Sequence, residues 1–365
     1  MSARTFILPC IMALALMVVP LTAMAETPAD PESPSGETIT DPPASPDANA
    51  ELKREIEELR RQVNTLVQAA EVRQSLGETE AEKRENEENI LSAAGREYTL
   101  MQQGKLGFEY QLAYSYFRYD AIRESGVIVH NSNHNFKNSF IFEYPVKNNL
   151  TAGSRIPFVY EYDQIGAENE KDVTDLGDVA FYADYQPIKS GGNVPSVILT
   201  TQLTCPMGRS PYEVNPEEDL STGSGGYSAL FSVNASKSLD PVLAYGSLGY
   251  ERNFSINHLD YKVGSYTMEK YEPGDTISVS LGMGFALSYK TSLSLGYAYA
   301  FTLDSKRYYK ETAPVNYPST SSSTMNIGTS WRIGNNRRIN VNLSSGLSNE
   351  GSHSISCSFP MEFKL

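Results

Sequence analysis

From Gly104 onward, hydrophobic and polar positions alternate with period two in a series of segments separated by turn residues. The first places Leu106, Phe108, Tyr110, Leu112, Tyr114 and Tyr116 on one face, with Glu109, Gln111 and Ser115 on the other. The second sets Phe136, Phe140, Phe142 and Tyr144 against Lys137, Ser139 and Glu143; the third sets Leu150, Ala152, Ile156, Phe158 and Tyr160 against Gly153, Arg155 and Glu161. Successive side chains of a strand point to opposite faces, so each stretch predicts a strand with one apolar and one mixed face. Nine more follow, the last running Ile355, Cys357, Phe359, Met361, Phe363, Leu365; the segment around 242–254 is ambiguous in face.

The connections also alternate. Those near Lys147-Asn148-Asn149, Ser190-Gly191-Gly192-Asn193, Leu239-Asp240-Pro241, Tyr289-Lys290 and Gly334-Asn335-Asn336 are tight, whereas those near 120–134, 164–175, 206–225, 255–274 and 304–320 are long and polar. Segments of about ten alternating residues with short turns on one side and long loops on the other are the pattern of an outer-membrane barrel. The fold class predicted for 104–365 is therefore all-β: a transmembrane antiparallel up-and-down β-barrel of twelve strands, with both termini in the periplasm of a Gram-negative cell. A soluble sandwich would also alternate. It fits less well, because the apolar faces carry Phe and Tyr without charges and the chain ends on a strand of the type that the barrel-assembly machinery recognises. Outer-membrane lipid and that machinery are the partners this reading implies.

The first 25 residues have the form of an export signal: Arg4, an apolar core from Ile7 to Leu21, and Ala23-Met24-Ala25 before Glu26. Residues 26–50, rich in Pro, acids, Ser and Thr, read as a disordered linker. Over 51–97 the period changes: Leu52, Ile56, Leu59, Val63 and Leu66 follow the heptad seam of a periplasmic coiled coil, through which residues 51–70 could join copies of the chain. The stripe stops after Ala70, and 77–97 reads as a charged, solvated helix or linker. For the heptad stretch that ends at Ala70, the competing reading is a lone amphipathic helix lying against or inside the barrel.

Composition adds 23 Tyr and 14 Phe beside one Trp, a balance suited to strands and aromatic girdles. The net charge of -14 is concentrated in 26–100, and no basic patch supports nucleic-acid binding. Cys205 and Cys357 fall on membrane-facing positions of strands that are not neighbours, so no disulfide is expected. His130 and His134 could at most form a weak metal site. His353 and Ser354 point to opposite faces, which denies them nucleophilic chemistry. No enzyme activity, cofactor or metal is predicted.

The inward faces divide into two walls. The pore-lining candidates Glu109, Lys137, Glu143, Arg155, Glu161, Asp178 and Asp184 make a charged wall, with Arg332 further along the chain. The later strands turn in Ser278, Ser280, Gly282, Gly284, Ser294, Gly296, Asn326, Gly328, Ser330, Asn340, Asn342, Ser356 and Ser358. Small residues leave room, for a solute or for an inserted segment. Mixed signs argue against a strongly ion-selective pore.

The stretches Asp175-Leu176-Gly177-Asp178-Val179, Pro206-Met207-Gly208-Arg209-Ser210-Pro211 and Leu220-Ser221-Thr222-Gly223-Ser224-Gly225-Gly226-Tyr227, continued by Ser236-Lys237-Ser238 and Leu248-Gly249-Tyr250, resemble outer-membrane transporters of the phenol-degradation meta-pathway family. That resemblance covers most of 104–365 and implies a barrel admitting small hydrophobic or aromatic compounds; the N-terminal coiled coil is an addition to the family pattern. The leading expectation is an outer-membrane channel for such solutes. The alternative is a structural anchor that presents a periplasmic coiled coil to a partner or the cell wall.

Overall fold

The computed structural model describes residues 80–122, 128–166, 169–190, 194–215, 218–239, 242–288, 290–334, 337–348 and 352–364. The expected export signal, linker and heptad seam lie outside them. The chain divides between Lys83 and Arg84 into two units. Of the first, the structure describes only Glu80–Lys83, the opening turn of helix α1 (Glu80–Ala94).

The second unit is built of strands: β1 (Lys105–Ile122), β2 (Ile128–Lys147), β3 (Leu150–Ile165), β4 (Asn169–Leu176), β5 (Val179–Ile188), β6 (Ser196–Cys205), β7 (Ser228–Ser238), β8 (Val242–Asn253), β9 (Ile256–Val263), β10 (Tyr266–Glu272), β11 (Thr276–Ala286), β12 (Thr291–Thr302), β13 (Ser305–Tyr309), β14 (Val315–Tyr317), β15 (Thr320–Gly334), β16 (Arg337–Gly346) and β17 (Ser352–Lys364). Thirteen of them form one antiparallel sheet, which closes on itself because β2 pairs with both β1 and β3. β4 and β5 pair with successive halves of β3, so the wall is a twelve-strand barrel. Closure removes the unpaired edges that no strand can leave in lipid.

The break between β4 and β5 has a local cause. Pro157, inside β3, has no N–H to give; its carbonyl accepts the Gly177 amide at 2.8 Å and the register shifts by one residue there. β1 meets β17 in continuous register from Lys105↔Lys364 to Phe117↔Ser352, which brings the two ends of the wall together.

The outward faces are those the alternation predicts. Phe142, Phe158, Phe181, Phe231, Met283, Ile327 and Leu343 are all exposed, as lipid-facing side chains must be when the protein is considered alone. β8 resolves as well: Leu248 and Tyr250 face out, while Leu243 and Tyr245 are buried inside. Its phase was ambiguous because both its faces are apolar.

The long connections hold more structure than their polarity suggests. The hairpins β1–β2 and β3–β4 continue as paired strands through parts of 120–134 and 164–175. Segments 255–274 and 304–320 fold into a separate sheet, ordered β14-β13-β10-β9. Gly264 sits at φ 60 in the turn between β9 and β10, a conformation that Gly adopts without steric cost. Tyr212, from the 206–226 loop, packs against Tyr261 and Tyr271 of this sheet with ring centroids 6.0 Å away in each case. Burial there, reinforced by Tyr271, pushes the Tyr212 hydroxyl up to about 12. Arg307 lies over the Tyr317 ring at 4.4 Å.

Candidate functional site: the barrel lumen

The lumen is not empty. The chain from Arg84 to Met101 enters it ahead of β1, and this plug touches both walls. Against β8 it buries Ile90, Leu91 and Tyr98, which cluster with Leu243 and Tyr245. The Tyr98 and Tyr245 rings stand 4.8 Å apart. Tyr245 in turn lies over the paired glycines Gly282 and Gly296 and donates to the Leu295 carbonyl at 3.3 Å. A side chain at Gly282 would occupy the space of that ring.

The small-residue wall receives the helix itself. Ser294 donates to the Ala93 carbonyl at 2.6 Å, Ser92 and Ser330 share a hydrogen bond at 3.0 Å, and Tyr98 and Ser280 share another at 3.1 Å. Cβ atoms built on Gly284 and Gly328 would collide with Ile90 and with the Ala93 carbonyl. The absence of side chains along this wall is what lets a helix lie on it.

Gly95 ends α1. Its φ of 155 and ψ of 165 belong to a region open essentially to glycine alone, and its amide still closes the last helical bond to Leu91 at 2.9 Å. The turn so made aims the next residue, Arg96, at the charged wall. Arg96 donates to Glu109 at 2.5 Å and forms an ion pair with Glu143, with its guanidinium 5.9 Å from the centre of the Tyr182 ring. Tyr182 donates to Glu143 at 3.0 Å, completing the carboxylate's surroundings. Arg338 of β16 pairs with Glu88 of the plug at 2.8 Å.

Between the plug and the inner faces of the wall lies a cavity of about 420 Å³. Glu109, Glu143 and Arg155 line it, together with Arg96, Glu97 and Tyr98 from the plug, and Asn326, Asn340, Asn342, Ser356 and Ser358 from the opposite side. The other expected lining residues are placed elsewhere. Asp184, buried on the inner face of β5, accepts from Thr200 at 2.6 Å. Glu161 accepts from Asn133 at 2.7 Å and Asn135 at 3.3 Å, and Lys137 stands within electrostatic reach of it. Arg332 shares the face of Ser330 near the tight turn into β16, opposite Arg338.

Asp178 does something different. Freed by the β4–β5 break, its carboxylate accepts from the Gly208 amide at 3.1 Å and from the Ser224 amide and hydroxyl at 2.6 and 2.7 Å. Thr222 donates to the Leu176 carbonyl at 2.7 Å and accepts from the Arg209 amide at 2.9 Å. Arg209 pairs with Asp219 at 2.9 Å. The three motif stretches that looked separate in sequence form one knot, which pins the 206–226 loop to the barrel wall.

The residues missed in the sequence are Arg96, Glu88, Tyr98, Tyr245 and Arg338. The one available signal was the run of small inward positions, which left room for an inserted segment. His353 meets Ser345, not Ser354, sharing a hydrogen bond at 3.2 Å, and His134 shares one with Tyr114 at 2.9 Å. Cys205 and Cys357 are free thiols. Among the described residues no group of His, Cys, Asp and Glu could hold a metal ion.

The wall is similar to that of the COG4313 outer membrane channel from Pseudomonas putida F1, with a TM-score of 0.55 and 12% identity over 73% of this chain and 98% of that one. It also matches the translocator domain of the autotransporter NalP from Neisseria meningitidis, with a TM-score of 0.42 and 10% identity over 78% of this chain and 96% of that one. Residues 106–353 match the family described as "Putative MetA-pathway of phenol degradation", and the chain belongs to that family.

Proposed function

We propose that this protein is an outer-membrane channel that admits small, poorly polar compounds. The observation that carries this reading is the lumen: wall side chains do not fill it, and a separate N-terminal segment shares it with a cavity of about 420 Å³. A barrel serving only as an anchor would gain stability by filling that space with its own side chains. The cavity combines Tyr98 and Tyr245 with serine and asparagine amphiphilically, and its charges of both signs are largely engaged with one another. Such a lining suits a ring with one or two polar substituents better than an ion. The family's description, which names phenol degradation, supports the same class.

Within this reading the barrel sits in the outer membrane, assembled through its C-terminal strand, with the N-terminal region in the periplasm. The heptad spacing of Leu52 to Leu66 supports association of copies there. Proteoliposomes containing the mature chain test the channel: uptake of phenol should exceed that of sucrose and of protein-free vesicles. Uptake equal to that of empty vesicles for every solute would remove the channel reading.

A further inference from the structure

We infer that the segment Arg84–Met101 is a displaceable gate, and that Arg96 is its latch; the inference rests on the channel reading above. Three observations carry it. The seat of the plug is uneven. Among the described residues the apolar packing is on one side, the small cluster of Ile90, Leu91 and Tyr98 on Leu243 and Tyr245. The contacts with the small-residue wall are single hydrogen bonds to serine hydroxyls, which water can replace one for one, and one ion pair, Glu88 with Arg338.

The second observation is the position of Arg96. The cavity lies beside the plug, and among the described residues the ion pairs that hold the plug to the charged wall are those of this side chain, which reaches Glu109 and Glu143 together. A guanidinium serving two carboxylates is a strong, directional contact, and a single one can be made and broken as a unit.

The third is satisfaction. Asn89 Oδ1 and Arg96 Nε on the plug, and Arg155 Nε and Asn340 Oδ1 on the wall, are buried without a hydrogen-bond partner among the described residues. Buried polar groups in a permanent core are paired, so this interface is not optimised for permanence. The plug also precedes β1 in the chain, and Lys105, where β1 begins, lies at the end of the barrel that carries the tight turns. Withdrawal toward that end needs no strand to break.

Planar-bilayer recordings on the full mature chain test this, with Cys205 and Cys357 replaced by alanine as background. Deleting 84–101 should convert a closed or rarely open barrel into a steadily conducting one. Arg96→Gln, which removes the charge-assisted contacts to Glu109 and Glu143, should raise the open fraction about tenfold. Gly284→Ala/Gly328→Ala, which crowds the plug from the wall side and leaves the plug's own sequence unchanged, should do the same. Ser92→Cys/Ser330→Cys, oxidised, should stay closed even with Arg96→Gln present, and reductant should reopen it. Correct folding of each is checked by heat-modifiable mobility on gels.

If wild type conducts as freely as the deletion, or the oxidised cross-link leaves conductance unchanged, the gate is overturned while the channel stands. If the deleted barrel conducts nothing and passes no phenol, both fall.

Discussion

The Asp178 carboxylate accepts the Ser224 amide at 2.6 Å and thereby joins two positions 46 residues apart, one in the barrel wall and one in a long loop. The same carboxylate binds Gly208, and Gly208 packs against Gly223 so closely that a Cβ on it would lie 2.8 Å from the Gly223 Cα. Loop and wall are therefore held at one point. Asp178→Ala should free the 206–226 loop, since each hydrogen bond to a charged group contributes about 1.5–3 kcal/mol. The expected outcome is protease cleavage within 206–226 on intact cells, at a rate at least several-fold above wild type, with an unchanged heat-modifiable barrel. Undiminished protection would mean that the loop is held by its tyrosine contacts instead.

Tyr245 and Gly282 make a second dependent pair. Gly282→Ala places a methyl where the Tyr245 ring lies, and that ring is fixed by Tyr98 and by its bond to the Leu295 carbonyl. Overpacking of this kind costs about 1–3 kcal/mol. Tyr245→Ala alone loses packing, but the two substitutions together should be less damaging than their sum, because the methyl then fills vacated space. Urea midpoints of the four proteins in detergent measure the coupling; strict additivity would contradict the contact.

Much of the wall was legible because a membrane strand is specified residue by residue: Phe140, Phe142 and Tyr144 alternate with Ser139 and Glu143, and one slip would turn charges into lipid. What lies inside the lumen was not legible. The helical part of the plug, Arg84–Ala94, has only Ile90 and Leu91 as large apolar residues, because its seat offers serine hydroxyls and needs no apolar stripe. Its partner strand β8 carried a trace of it. Leu243 and Tyr245 are inward and apolar, which blurred the phase of that strand and marked where the plug packs. The sheet of β9, β10, β13 and β14 was hidden by polarity: Lys262, Lys270 and Lys306 alternate with tyrosines in short runs that resemble loops. Asp178 has the parity of a lumen residue, but the one-residue shift beside Pro157 redirects it, and no periodicity announces a bulge.

The phase of β15 can be checked with neighbouring substitutions. Ile327 faces lipid at mid-strand, paired with Leu295 and Leu343, while Asn326 lines the cavity. An arginine at a lipid-facing midplane position costs about 2–4 kcal/mol. Ile327→Arg should lose roughly that much in unfolding from lipid vesicles, and Asn326→Arg should be close to neutral. A reversal of the two would mean that the wall is inverted.

Asp275 supplies a pH dependence. It stands in the connection before β11 and gathers Tyr250 at 2.6 Å, Arg252 at 2.7 Å and the Asn253 amide at 3.2 Å. Burial pushes its carboxyl up, but the bonds from Tyr250, Arg252 and Asn253 together outweigh burial and hold it below its ordinary value of 3.8. A carboxylate depressed in the folded state stabilises the fold fully above its unfolded value, and that contribution fades as pH falls through the lower folded value. Asp275→Asn keeps the shape and removes the charge. It should therefore be less stable than wild type at neutral pH, and the gap should begin to close near pH 3.8 and narrow further below it. The main chain of Asp275 also accepts from the Leu303 amide at 2.8 Å, a bond the substitution leaves in place, so any effect belongs to the carboxylate. Urea midpoints measured from neutral pH down to the strongly acid range decide the matter. A gap that persists unchanged at the acid end would assign the stabilisation to geometry and not to charge.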